Sequence, residues 1–134
     1  MSDHVLIGGC QCGRVRYRVE AGPTRLVVCH CLMCQKQSGS AFGMSLGVSR
    51  RAFRLTSGEL KTFDVTCDSG RIKTCAFCGD CGTRIYNQTS GRMSIKAGTL
   101  DDTSSLRPIA HYWTKRKQPW VTMPEGVEAR VDDG

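Results

Sequence analysis

The feature that most constrains this chain is the grouping of its cysteines. Seven of the nine cysteines lie in three short segments, at 10–12, 29–34 and 78–81, in which neighbouring thiols are two or three residues apart. Thiols so close in sequence are poorly placed for a disulfide with each other, because the short backbone between them strains the bond geometry. The same spacing lets two thiolates face one metal ion from a turn. The sequence therefore predicts zinc sites.

The three segments divide most simply into one closed and one open site. The first and third segments are each followed by a glycine, Gly13 or Gly82, which permits the backbone bend that turns amide hydrogens toward thiolates. Joining these two pairs gives a four-thiolate structural zinc site, with the ligands Cys10, Cys12, Cys78 and Cys81. The middle segment keeps three thiolates for a second, catalytic zinc with an open position, with the ligands Cys29, Cys31 and Cys34.

Two other arrangements remain open at this point. The middle segment could be a redox-buffering thiol group without metal, or it could share an ion with the first segment and leave the third pair unused. His30 lies between two of these cysteines on an extended segment, so we expect its side chain to point to the opposite face and to pack or support the ligands. Cys67 and Cys75 are lone cysteines, usually small buried hydrophobes, and receive no role.

Short alternating stretches separated by turns predict a mainly β domain. The predicted strands cover residues 15–19, 26–28, 40–48, 60–65, 72–77, 84–86 and 93–97, with a short extended stretch at 53–55. The best helix candidate is short and covers residues 31–37. Segments 12–17 and 81–86 resemble each other, since each begins with Cys-Gly and ends in a tyrosine, and this predicts two similar halves.

The length and charge of the chain limit its domain number, its location and its partners. The 134 residues fit one domain, 1–134, and contain no run of 18 apolar residues that would span a membrane. The N-terminus lacks the basic start and apolar stretch of a signal peptide, so we expect a cytoplasmic protein with reduced thiols. The formal charge of +7 would fall to about +4 with seven thiolates and two zinc ions bound. The basic residues are scattered, which argues against nucleic acid as a partner.

The motifs resemble those of the glutathione-dependent formaldehyde-activating enzyme family, which includes centromere protein V. The matching segments run in the family's order over about residues 8–121 and cover 9–13, 29–42, 77–83, 98–102 and Pro119–Trp120. The resemblance implies the Mss4-like fold, a set of coiled β-sheets built from two similar halves and stapled by zinc. It also implies the same division of the seven cysteines between a structural and a catalytic zinc, two Zn²⁺ per chain.

The resemblance further implies a zinc-dependent carbon–sulfur lyase of the S-hydroxymethylglutathione synthase type. It would act on glutathione adducts of formaldehyde or of a related small aldehyde. Because glutathione carries two carboxylates, Lys36 and Ser38, just past Cys34, are the candidate substrate contacts. A non-catalytic glutathione or thiol carrier would use the same residues. A chromatin or nucleic-acid module is the third hypothesis, and the acidic tail at 125–134 weakens it.

Overall fold

The computed structural model describes residues 4–21, 25–67 and 70–132, so residues 1–3 of the N-terminus considered above lie outside it. In chain order its elements are β1 (His4–Gly9), β2 (Arg16–Ala21), β3 (Arg25–Cys29), α1 (Leu32–Ser38), β4 (Gly43–Ser49), β5 (Phe53–Ser57), β6 (Leu60–Thr66), β7 (Ile72–Cys78), β8 (Arg84–Thr89), β9 (Arg92–Lys96), β10 (Ala110–Tyr112) and β11 (Glu128–Ala129). Short 3₁₀ turns cover Arg50–Ala52, Ala97–Thr99 and Thr114–Arg116. The chain is mainly β, as the sequence predicts.

The described strands form two sheets. The smaller sheet has the antiparallel order β1-β2-β5, and the larger has the order β11-β10-β3-β4-β9-β8-β7-β6. In the larger sheet β10 is parallel to both β3 and β11, whereas every other pair is antiparallel. Hairpins β1–β2 and β7–β8 each carry a cysteine pair at their turn, so the same kind of hairpin occurs once in each sheet.

The hydrophobic core lies between the two sheets. Alternate residues of β2 point inward and meet the inward residues of the larger sheet. Buried members of this core include Val15, Tyr17, Val19, Leu26, Leu46, Ile85, Met93 and Ile95. Two polar contacts join the smaller sheet to the turn after β9: Tyr17 Oη lies 2.6 Å from Thr99 Oγ1, and the Arg16 guanidinium pairs with the Asp101 carboxylate.

Helix α1 follows β3 directly and forms where the short helix was predicted. Cys31 is its N-cap residue, and its thiol accepts a hydrogen bond from the amide of Cys34. Gly39, with φ of +64°, ends the helix in the left-handed conformation. The Gln35 side chain fastens the helix by donating to the carbonyls of His30 and Arg116, 2.9 and 3.1 Å away.

The structure differs from the sequence prediction at a few elements. The strand predicted over 40–48 begins only at Gly43, because Ser38 and Ser40 both donate to the Phe42 carbonyl and close a turn there. Strands β1, β10 and β11 were not predicted. Of the helices in the described part of the chain, none has the length and hydropathy needed to cross a membrane.

Candidate metal centres and the adjoining cavities

The first and third cysteine pairs lie together, although 66 residues separate Cys12 from Cys78. The four Sγ atoms of Cys10, Cys12, Cys78 and Cys81 all lie within 4.8 Å of one another. One pair comes from the β1–β2 turn and the other from the β7–β8 turn, so this four-thiol set joins the two sheets. The alternative in which the third pair is left unused is not the observed arrangement.

Both turns have a related backbone form, which we call a knuckle, although the second has one more residue between its cysteines. In the first knuckle the Cys10 amide donates to the Val15 carbonyl at 3.0 Å, and the Gly13 amide returns to the Cys10 carbonyl at 3.1 Å. In the second knuckle the Cys78 amide donates to the Thr83 carbonyl at 2.9 Å, and the Gly82 amide donates to the Cys78 carbonyl at 2.8 Å. The two glycines have φ of +84° and +82°. The internal similarity of the sequence therefore corresponds to a structural repeat.

Hydrogen bonds to sulfur prepare the four-thiol set for negative charge. The Val15 amide donates to Cys10 Sγ at 3.2 Å, and the Asp80 amide donates to Cys78 Sγ at 3.4 Å. The Thr83 hydroxyl, 3.2 Å from Cys81 Sγ, lowers the pKa of Cys81 to about 5. Donors aimed at sulfur favour the thiolate, which is the metal-binding form.

The middle segment forms a separate three-thiol set. Cys29 is the last residue of β3, Cys31 caps α1 and Cys34 lies within its first turn, and their sulfurs lie within 4.8 Å of one another. All three residues are partly exposed. The hydrogen bond from the Cys29 thiol lowers the pKa of Cys31 to about 2, while the same bond raises the pKa of Cys29. Within this set the hydrogen bonds among the thiols therefore favour the thiolate form at Cys31.

The chemistry of both sets fits a metal that prefers sulfur. Each set offers only thiols, and thiolate ligands select soft or borderline ions over calcium or magnesium. The four-thiol set can complete a tetrahedral site by itself. The three-thiol set is one ligand short of that number, so an ion held there would keep a position for another ligand.

His30 is not a member of the three-thiol set. Its ring is fully buried, and its Nε2 lies 2.9 Å from Nδ1 of His111 on β10, with the two rings stacked. Its amide donates to the Tyr112 carbonyl at 2.9 Å, which fixes the segment between Cys29 and Cys31 against β10. Burial lowers the pKa of both histidines. The pair therefore packs as neutral rings beneath the cluster.

A network of polar side chains connects Cys34 to strand β8. Gln37 Nε2 donates to Cys34 Sγ at 3.8 Å, and Gln37 Oε1 accepts from Arg84 Nη2 and Asn87 Nδ2, each at 3.1 Å. Arg84 also donates to Asn87 Oδ1 at 3.1 Å and lies over the Phe63 ring. The three-thiol set is thus tied to β8 by side chains that sequence reasoning did not single out.

Two cavities flank α1. One, of about 510 Å³, includes Lys36 and Gln118 in its wall, and we call it the helix cavity. The other, of about 470 Å³, lies between the end of α1 and the second knuckle; its wall includes Ser38, Thr83, Arg84 and Lys96, and we call it the knuckle cavity. Ser40 lines both cavities. The two predicted substrate contacts, Lys36 and Ser38, therefore lie on adjoining cavities rather than in one.

Lys96 is a functional candidate that the sequence prediction missed. It is 8% exposed at the end of β9 and lines the knuckle cavity. A side-chain carbon built on Gly43 would lie 3.3 Å from Lys96 Nζ and 3.4 Å from Cys34 Cβ, so the amine and the cysteine are neighbours across this glycine. Burial lowers the pKa of Lys96, and the charge of Cys34 acts in the opposite direction. The available signal was a lysine inside the otherwise uncharged stretch 93–97.

Comparison with known proteins assigns the family. The sequence model of the family described as "glutathione-dependent formaldehyde-activating enzyme" matches residues 5–116, most of the chain. The chain therefore belongs to that family. No curated protein matches the sequence. Among solved structures, a Rhodobacter sphaeroides protein determined by structural genomics matches with a TM-score of 0.59 and 18% identity, over 74% of this chain and 91% of that one. At that identity the likeness concerns the fold alone.

Proposed function

We propose that the protein is a zinc-dependent carbon–sulfur lyase that joins glutathione to formaldehyde, or to a related small aldehyde, and reverses that reaction. The observation that carries the proposal is the three-thiol set of Cys29, Cys31 and Cys34, partly exposed and one ligand short of a closed site, in a member of this family. In the forward direction the glutathione sulfur forms a bond to the aldehyde carbon, the carbon–oxygen double bond becomes single, and the thiol proton ends on that oxygen.

Two zinc ions are part of this proposal. The four-thiol set would hold one as a structural ion, and the three-thiol set would hold the other. Zinc in the second position would supply stabilisation of a substrate thiolate, or polarisation of the aldehyde oxygen. The chain's own contribution is positional: Gln37 and the Cys34 amide fix the orientation of the thiols, and the buried histidine pair supports the segment from below.

Lys36 and Ser38 stay proposed substrate contacts. Lys36 is exposed beside the helix cavity and offers a charge for a carboxylate. The Ser38 hydroxyl donates to the carbonyls of Gln35 and Phe42, at 3.3 and 3.0 Å. Its oxygen therefore suits an N–H donor of the glutathione backbone better than a carboxylate.

The test is the rate of exchange between free glutathione and S-hydroxymethylglutathione, followed by NMR exchange spectroscopy. We expect the zinc-loaded protein, at substoichiometric concentration, to raise this rate. The Cys31→Ser variant should lose the effect, whereas Cys67→Ser, which changes a thiol outside both sets, should keep it. A protein that binds glutathione without raising the rate would be a carrier, and the lyase proposal would be wrong.

A further inference from the structure

The knuckle cavity has an unusual charge balance. Among the described residues that line it, Lys96 and Arg84 are cationic and none carries a carboxylate, while Cys81 of the four-thiol set lies at the knuckle side of the wall. Two like charges in one cavity repel each other. This repulsion by Arg84 adds to the effect of burial in lowering the pKa of Lys96. An anion in the cavity would relieve that repulsion. The cavity is also within the size range of small-molecule sites.

The two cations keep hydrogen-bond donors for a ligand. No described residue forms a hydrogen bond or an ion pair with the Lys96 amine. The hydrogen bonds of Arg84 to described residues all use Nη2, so its Nη1 has no partner among them. Other polar groups in the wall are engaged within the chain, such as the Thr99 hydroxyl, which donates to the Lys96 carbonyl at 2.7 Å.

The cavity adjoins the three-thiol set. Gln37 lines it and donates to Cys34 Sγ, and Lys96 lines it and approaches Cys34 across Gly43. A ligand with a sulfur at the three-thiol set and a carboxylate a few bonds away would therefore reach the two cations.

We propose that Lys96 and Arg84 form a carboxylate-binding subsite in the knuckle cavity, which selects thiols that carry a carboxylate over neutral thiols. This inference rests on the proposed function, because that function places the substrate sulfur at the three-thiol set. The subsite would act on binding: an ionised carboxylate gains charge-assisted hydrogen bonds from both cations, and a neutral thiol gains none.

The experiment is calorimetric binding to the zinc-loaded protein, with glutathione and with its bis-amide, in which both carboxylates are neutral amides of nearly the same size. We expect the wild type to bind the bis-amide roughly 10 to 100-fold more weakly. Lys96→Met and Arg84→Gln should each weaken glutathione binding by a similar factor. Each variant should lose less affinity for the bis-amide than for glutathione, because an amide oxygen accepts weaker hydrogen bonds from a cation than a carboxylate does. Arg84→Gln also removes the hydrogen bond to Gln37, so for that variant the readout is the ratio of the two affinities.

Lys61→Met is the control, because this substitution also removes one positive charge. Lys61 is exposed on β6 and lies outside the knuckle cavity. This variant should discriminate between the two ligands as the wild type does. Glutathione binding that survives both cavity substitutions, or equal binding of the two ligands by the wild type, would overturn the subsite and leave the proposed function standing. Absence of glutathione binding to the wild type would overturn both.

Discussion

The cysteines of the two thiol sets differ in how far they are buried. Cys78 is fully buried and Cys10 is 8% exposed, so half of the four-thiol set lies within the core between the sheets, whereas Cys12 is exposed and Cys81 partly exposed. The residues of the three-thiol set are all partly exposed, and Cys31 stands at the start of a two-turn helix. A metal ion in the first set would stabilise the fold, whereas one in the second would mainly serve a ligand.

Serine substitutions should separate these two roles. Cys78→Ser removes a proposed ligand of the ion between the sheets, and we expect the zinc-loaded protein to melt about 10 °C lower or to be unfolded. Cys31→Ser should shift the melting temperature by only a few degrees, because serine caps a helix well and can accept the same Cys34 amide. Thermal melts followed by circular dichroism measure both, with Cys67→Ser as the control. The reverse order of stability would show that the roles of the two sets are exchanged.

The ligand candidates were accessible to sequence reasoning because their signal is local. Cysteines two or three residues apart beside a glycine indicate a metal-binding turn without knowledge of the fold. Lys96 and Arg84 carry no such signal. Each is a single cation within a strand, and only the packing of α1 against β4, β8 and β9 gives them a common cavity.

At the scale of elements, the knuckle is the unit that the chain uses twice. Gly13 and Gly82 occupy equivalent places in the two copies with φ above +80°. An L-residue there is strained whatever space surrounds it, because its Cβ approaches the backbone carbonyl. Both turns therefore depend on glycine for their conformation.

Alanine substitutions should reveal this requirement. A Cβ added at Gly82 or at Gly98 meets no atom within 4 Å, but only Gly82 has positive φ. We expect Gly82→Ala to lower the free energy of unfolding by about 1–2 kcal/mol through backbone strain. The matched control Gly98→Ala should stay within about 0.5 kcal/mol of the wild type. Urea denaturation of the zinc-loaded protein measures both, and equal values for the two variants would show that the knuckle tolerates a side chain.

The elements that sequence reasoning missed depend on distant partners. Strand β10 has three residues and exists through its parallel pairing with β3, more than 80 residues earlier. In β1, Gly8 approaches Thr99 so closely that a Cβ would lie 2.3 Å from its carbonyl oxygen. A glycine near a strand end suggests a turn when read alone. The longer alternating strands and the short helix were predicted because their patterns are complete within a few residues.

The whole molecule divides its clustered cysteines between two positions. The four-thiol set lies where the two hairpin turns, one from each sheet, meet. The three-thiol set lies at the start of α1, beside a cavity with two cations. The central claim is therefore that one ion staples the fold and the other, with an open position, serves the substrate.

The most direct test of that claim is stepwise metal removal, with zinc content read by native mass spectrometry and fold by circular dichroism on the same samples. We predict two zinc ions per chain at the start. Mild chelation should remove one ion first, while the far-ultraviolet spectrum and the melting temperature stay nearly unchanged, and the Cys31→Ser variant should begin with that ion weakly held or absent. Simultaneous loss of both ions together with unfolding would contradict the division into a closed and an open site.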